Sequence, residues 1–271
     1  MPPQLDLHFS TIKEGRTVLR SGYSRFPLRH SPELHLSESL PSLATCFITN
    51  SSGGMFERDQ LEVCVRLDAD SKLQLLNLSA TLLHKCDQLT SRETSRFEIG
   101  DNAYFEMVRK PLIPTSGSDY EQNSYLEIGR GAIAVIADTV FSGRYSSGER
   151  HRYKAIKLGL DVVFQGKRLV SERSGMRSCG GIPALRSESG WNCMSTVYCI
   201  GIGPDWKAVE RETIQALDDP MLEIGCLPND SGLIARFLCR SSGATSDRTD
   251  MFVRYFRERF AESLVKGNDT Q

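Results

Sequence analysis

The chain has 271 residues, 39% of them apolar, with 33 Lys and Arg against 34 Asp and Glu. That length and apolar content can enclose a full hydrophobic core, and a balance so close to neutrality gives nothing that calls for a nucleic-acid or anionic-membrane surface, so a charge-driven partner would be met by a local patch. No apolar run approaches the roughly 18 residues of a membrane span, and the opening MPPQLDLHFSTIKEG has neither a basic leader nor an apolar one, so the expectation is a soluble, unexported, cytoplasmic protein.

In chain order, the first distinct feature is ITNSSGGMFERDQLEVCVRL, Ile48 to Leu67. Gly53-Gly54 permits a tight corner that a Cβ would strain, and Asp59 stands at the rim of the strand that follows. That strand alternates: Leu61, Val63, Val65 and Leu67 fall on one side, Glu62, Cys64, Arg66 and Asp68 on the other, which is the period of a half-buried strand. SKLQLLNLSATLLHK, SRFEIGDNAYFEMVRKPLI, SYLEIGRGAIAVIADTVFSGR and HRYKAIKLGLDVVFQGKRLVSER read as further strands between Gly, Asp, Asn and Ser clusters, with Gln165-Gly166 as a hairpin tip. No tandem repeat of fixed period is present.

Helices are predicted only late. Asp205 caps a helix whose Trp206, Val209, Thr213 and Leu217 share one stripe. MLEIGCLPNDSGLIARFLCR reads as two strands about a Pro-Asn-Asp-Ser-Gly turn, and RSSGATSDRTD (240–250) as a flexible loop. In TDMFVRYFRERFAESLV, Phe252, Phe256, Phe260 and Leu264 recur every fourth residue, while Arg254, Arg257, Glu258 and Glu262 face away. The predicted fold is mainly β: a single elongated domain over 1–271 of many short stacked strands, β-helix-like or sandwich-like, β-rich over 5–203 and mixed α/β over 204–266, with a few helices in the C-terminal part.

Chemistry is sparse. The eight cysteines are scattered, with no C-x-x-C, and read as reduced thiols, several of them inside apolar runs. There is no G-x-G-x-x-G after a strand, no P-loop, no H-E-x-x-H and no G-x-S-x-G, and no histidine pair has metal-ligand spacing. Asp138 and Glu149 could serve as paired carboxylates, but nothing in the sequence brings them together. No catalytic set and no tightly bound cofactor is expected.

The order of features resembles a known family. GRTVLRSGYSRFPLRH (15–30), the Gly-Gly corner with its Asp59-Gln60-Leu61 strand, the strand reaching Ala80-Thr81, the proline stretch of YFEMVRKPLIPTSGSDY, and ADTVFSGRYSSGERHRY with a Gly-Arg-x-x-x-Gly-Glu signature at Gly143, Arg144, Gly148 and Glu149 are collinear with the urease accessory protein UreD (UreH). LPNDSGLIARFL before a terminal amphipathic helix fits the family's ending. This chain departs from the family pattern at Arg58, where a glycine is usual, at Leu82, where a lysine is usual, and at Asp138, where the acid is generally Glu.

The resemblance implies a non-enzymatic scaffold that binds urease subunits, the helical accessory protein UreF and, through it, the nucleotide-binding UreG, with no role for nucleic acid or membrane. It implies a polar interior along which nickel(II) passes in transit rather than being stored, with Asp59, Asp138 and Glu149 as candidate path residues and Gly53, Gly54, Gly143, Arg144 and Gly148 as structural motif positions. Transit requires weak oxygen sites, since imidazole and thiolate hold a divalent transition metal more tightly. Phe252, Phe256 and Phe260 are candidate partner contacts. The alternative is a UreD-like β-rich module that supports assembly of a different complex without nickel.

Overall fold

The computed structural model describes residues 2–178, 191–219 and 221–262. Its strands wind between two sheets. The first sheet takes β1 (Leu5–Thr11), β2 (Thr17–Ser24), β5 (Gln60–Leu67), β8 (Ser91–Ile99), β11 (Asp119–Ile128), β13 (Ala155–Phe164) and β14 (Lys167–Arg177), in the order β14-β13-β11-β8-β5-β1-β2. The second takes β3 (Leu28–His30), β4 (Ala44–Asn50), β6 (Lys72–Asn77), β9 (Tyr104–Val108), β12 (Ile133–Phe141), β15 (Cys193–Gly201), β16 (Leu222–Cys226) and β17 (Gly232–Cys239), in the order β16-β17-β15-β12-β9-β6-β4-β3. Short strands β7 (Thr81–Leu83) and β10 (Leu112–Pro114) pair in parallel at the side. The path β5, β6, β7, β8, β9, β10, β11, β12, β13 is therefore a solenoid.

Parallel strands normally need helical crossovers. Here each crossover is the next strand of the opposite sheet, and the β1, β5, β8, β11 and β13 ladders are all parallel. The first sheet buries only its inner face, which is why β5 shows Leu61, Val63, Val65 and Leu67 buried in strict alternation, as predicted. The sequence showed no fixed period because the coils are unequal in length: their first-sheet strands start at Gln60, Ser91, Asp119 and Ala155.

Two apolar cores result. One fills the space between the sheets, with Leu7, Val65, Phe97, Phe105, Leu126 and Val162 among its members. The other lies between the second sheet and two helices, α1 (Trp206–Leu217) and α2 (Ser242–Phe256). Asp205 accepts a hydrogen bond from Ala208 N at 3.0 Å, and Trp206, Val209 and Thr213 are buried, as the stripe predicted. Gln165 (φ 49°) and Gly166 (φ 74°) form the hairpin tip between β13 and β14.

The segment 240–250 corrects the sequence reading. Most of it is the first half of α2, capped by Ser241, whose Oγ accepts from Ala244 N at 3.2 Å. Arg257 is a second correction: it turns inward, and its Nε and Nη2 donate to the two oxygens of Glu106, each at 2.7 Å. After Phe256 the chain continues as a π-type turn, Arg257–Glu262. The predicted position of Leu264 lies outside the described residues.

Candidate functional site: a charged layer between the sheets

Inward-facing positions of β8 and β11 are polar where those of the flanking strands are apolar. By register, Leu61 and Val63 on β5 stand beside Glu93 and Ser95 on β8, and Gln122 and Ser124 on β11 stand beside Leu158 and Leu160 on β13. Facing them from the second sheet are Asp138 on β12 and Arg109, just past β9.

These groups form one connected set. Arg109 Nη1 donates to Asp138 Oδ1 at 3.1 Å, and Nη2 donates to the hydroxyls of Ser95 and Ser124 at 3.1 and 3.2 Å. Gln122 Nε2 donates to the same Asp138 oxygen at 2.9 Å. Arg109 Nε has no hydrogen-bond partner and lies 3.8 Å from Glu93 Oε1, while Tyr120 donates to Glu93 Oε2 at 3.4 Å. One guanidinium thus faces two carboxylates. Burial pushes the Glu93 carboxyl above the usual carboxylate range, against the pull of Arg109. Burial also works against the Arg109 charge, but Asp138 and Glu93 outweigh it and raise its pKa. Tyr120 is raised well above an ordinary phenol by burial and by Glu93.

The layer continues along the second sheet. Asp138 pairs in register with Thr196 on β15, and Thr196 with Arg236 on β17. Arg236 Nη2 donates to Glu172 Oε1 on β14 at 2.5 Å. Tyr198, nearby on β15, is raised by burial and by the Asp138 and Glu172 carboxylates. Exposure follows a pattern: side chains are 5% and 11% exposed at Arg109 and Asp138 in the middle, but 20% at Glu93 on one side and 43% and 30% at Arg236 and Glu172 on the other. The layer is enclosed at Arg109 and Asp138, largely buried at Glu93, and opens to solvent at Arg236 and Glu172.

The three sequence-selected carboxylates are not gathered at one point. Asp138 lies in the layer. Asp59 is a half-buried turn residue before β5; its Oδ2 accepts from Phe56 N at 2.8 Å, closing the corner that Gly53 and Gly54 open. Gly54 has φ +145°, and a Cβ on it would stand 2.2 Å from the Leu82 carbonyl oxygen. Arg58 adopts φ 71°.

Glu149 sits beyond β12, after a short 3-10 turn at Tyr145–Ser147 that Gly148 ends with φ 70°. Arg144 donates to it twice, Nη2 to Oε1 at 2.6 Å and Nε to Oε2 at 2.7 Å, and this pairing holds the Glu149 carboxyl below its usual range. Gly143 brings the two ends of that turn together, since a Cβ there would lie 2.3 Å from the Glu149 carbonyl oxygen. Arg144 is therefore in this turn, beyond the end of the strand that carries Asp138.

Phe252 and Phe256 are fully buried against the second sheet, and Phe260 is partly buried, 5.6 Å from the Trp206 ring. Sequence reasoning missed Glu93 and Arg109. The signal for Glu93 was present: in SRETSRFEI, Ser91, Glu93 and Ser95 alternate in phase with the buried Phe97 and Ile99.

Among the described residues, no group of three or more His, Cys, Asp or Glu is placed to hold a metal ion, the seven cysteines are free thiols, and no helix is long and apolar enough to cross a membrane. Fold and site together define a β-solenoid protein with a charged interior layer. Residues 2–266 match the family described as UreD urease accessory protein, and the chain belongs to that family. It is 27% identical to the urease accessory protein UreD of Mycolicibacterium gilvum, over 99% of this chain and 97% of that one. It is 25% identical to UreD 2 of Streptomyces griseus (86% and 82% covered) and 28% identical to UreD 2 of Brucella canis (82% and 76% covered).

Proposed function

We propose that this chain is a non-enzymatic cytoplasmic scaffold for urease maturation, which binds apo-urease and the accessory proteins UreF and UreG and conveys nickel along its interior charged layer. The observation that carries this reading is the graded exposure of the layer's carboxylates: Asp138 enclosed, Glu93 largely buried beside it, and Glu172 toward solvent. Hard oxygen donors without histidine or thiolate suit a cargo that must leave again. Asp59 and Glu149, on turns at the surface, are assigned a lesser part, as wall or entry residues.

The test is co-expression with urease subunits and accessory proteins, reading recovered complex, nickel per urease and urease activity. Asp138→Asn is expected to leave the complex intact and lower both nickel and activity. Asp59→Ala and Glu149→Ala are expected to have smaller effects in the same direction. Intact complexes with wild-type nickel loading in Asp138→Asn would refute transit through the layer. One observation favours a second reading, in which the chain supports assembly of a complex without nickel: Arg109 already occupies the cation position between Glu93 and Asp138. Under that reading the chain would not co-purify with urease.

A further inference from the structure

The turn that leads into β5 is held at every residue but one. Asp59 N donates to the Phe56 carbonyl at 3.0 Å and Phe56 N donates to Asp59 Oδ2 at 2.8 Å, which closes the four residues 56–59 into a turn. The Phe56 ring stacks on His84, with centroids 4.0 Å apart and planes 7° from parallel. Glu57 Oε1 accepts from the Gln88 and Leu89 N–H groups ahead of β8, at 2.7 and 2.8 Å. Arg58, third in the turn, stands at φ 71°, a position that favours glycine. Its side chain is exposed and makes no hydrogen bond or ion pair with any described residue. Non-glycine residues in such conformations cluster at ligand clamps and active sites, where a rigid surround presents the strained residue.

Arg58 lines a cleft of about 640 Å³ together with Arg25, Arg96, Asp59 and Glu62. That volume lies in the range of small-molecule sites, roughly 300–1,000 Å³. Arg25 is fixed from the N-terminal side, where its Nη2 donates to the Pro2 carbonyl. Gln4 fastens the same segment to β5: its Nε2 donates to the Gln60 carbonyl at 3.1 Å and its Oε1 accepts from Glu62 N at 2.7 Å. Arg96 and Glu62 neutralise each other at 3.2 Å. Arg25 and Arg58 have no ion-pair partner among the described residues, and Asp59, one oxygen of which is taken by Phe56 N, is the carboxylate left to oppose them. Two positive charges against one leave the cleft positive, and the planar fork of a guanidinium matches the paired oxygens of a carboxylate or phosphate.

We infer that this cleft is a binding site for a small oxyanion, a molecule bearing phosphate or several carboxylate groups, held between Arg25 and Arg58. The turn places Arg58 before the ligand arrives, so the ordering of that side chain's backbone is already complete, and the ligand supplies the partner that the fold withholds. The site requires nothing of the charged layer between the sheets, and it stands whether or not nickel passes there.

The experiment is isothermal titration calorimetry of the purified full chain with inorganic phosphate, pyrophosphate and citrate, at an ionic strength held constant with chloride. The wild type is expected to bind at least one of the three at one site per chain. Arg25→Gln and Arg58→Gly are each expected to weaken that binding at least ten-fold. Arg66→Gln, which removes an exposed arginine of the same sheet that lies outside the cleft, is expected to bind as wild type. Because Arg58→Gly relieves a strained backbone position, it should melt at or above the wild-type temperature without anion, and its loss of binding then cannot come from unfolding. No binding of any of the three anions by the wild type overturns the site. So does equal binding by wild type, Arg25→Gln and Arg58→Gly, or a loss in Arg66→Gln as large as theirs, which would show attraction to surface charge alone.

Discussion

Replacing Arg109 by Met should be far more damaging than replacing Asp138 by Asn, although the two side chains contact each other. Arg109 makes three hydrogen bonds, to Asp138, Ser95 and Ser124, and is the cation nearest Glu93. Removing it leaves two enclosed carboxylates facing each other without a counter-charge. Breaking a buried pair in this way costs about 3–5 kcal/mol, a large part of the roughly 5–15 kcal/mol by which a domain is stable. Asp138→Asn keeps an oxygen able to accept from Arg109 and from Gln122, and it leaves Glu93 and Arg109 as a balanced pair, so only the charge on one hydrogen bond is lost, about 1–2 kcal/mol. Urea denaturation at neutral pH, followed by circular dichroism, gives both values. Arg109→Met/Asp138→Asn should cost less than the sum of the single changes, because the second substitution removes one of the charges stranded by the first. Equal losses for the two single variants, or strict additivity in the double, would refute the assignment of Arg109 as the counter-charge shared by Glu93 and Asp138.

The glycine corner should tolerate no side chain: Gly54→Ala is expected to cost about 3 kcal/mol or more, since unfavourable φ is compounded by contact with the Leu82 carbonyl, and a wild-type melt would show that the corner relaxes freely. Arg58→Gly should be neutral or stabilising by up to about 1 kcal/mol, because a non-glycine residue is held at φ 71° there; measured destabilisation would mean that the Arg58 side chain makes a compensating contact. Glu93 titrates upward on folding, so the stability it contributes is complete below the ordinary Glu value of 4.5 and fades as pH rises through its raised folded value. Glu93→Gln should therefore gain on the wild type as pH increases from below the ordinary Glu value of 4.5 upward in chemical denaturation, and a constant difference from there to neutral pH would contradict the sign.

Much of the fold was legible where one periodicity dominated. The β5 alternation, the Gln165-Gly166 tip and the Asp205 cap all carry their structure in a few residues, because each depends on local geometry alone. The first half of α2 was not legible because its buried side is built from hydroxyls. Thr245 and Thr249 donate to the carbonyls one turn back, at 2.9 and 2.8 Å, and Thr249 meets Ser195 of the sheet at 3.0 Å. A small polar stretch with no apolar stripe reads as a loop until a sheet is present to receive it. Of the site, Asp138 could be selected by resemblance, but Arg109 lies just beyond β9 in a polar Arg-Lys pair that looks like the end of a strand. Only the opposing sheet shows that it turns inward.

The network around Arg109 is confined to the middle coils, and this allows its cost to be separated from its use. At the same rows β5 and β13 carry Leu61, Val63, Leu158 and Leu160, and one row further along β8 and β11 the chain returns to Phe97 and Leu126. An apolar interior is therefore compatible with this backbone immediately on either side. Exchanging a buried ionic set for well-packed apolar residues is often neutral or stabilising, by about 1–4 kcal/mol, provided that no partner is left stranded. The exchange must then include Glu93→Met, Arg109→Met and Asp138→Leu together with Ser95→Ala, Ser124→Ala, Gln122→Leu and Tyr120→Phe, so that every member of the network is removed at once. Such a variant should melt at or above the wild-type temperature and still be recovered with its partners, while nickel reaching co-expressed urease falls. If it unfolds, the ionic set is holding the two sheets in register and its role is structural. If it folds and urease is loaded normally, the charges are incidental to maturation and the cargo takes another route.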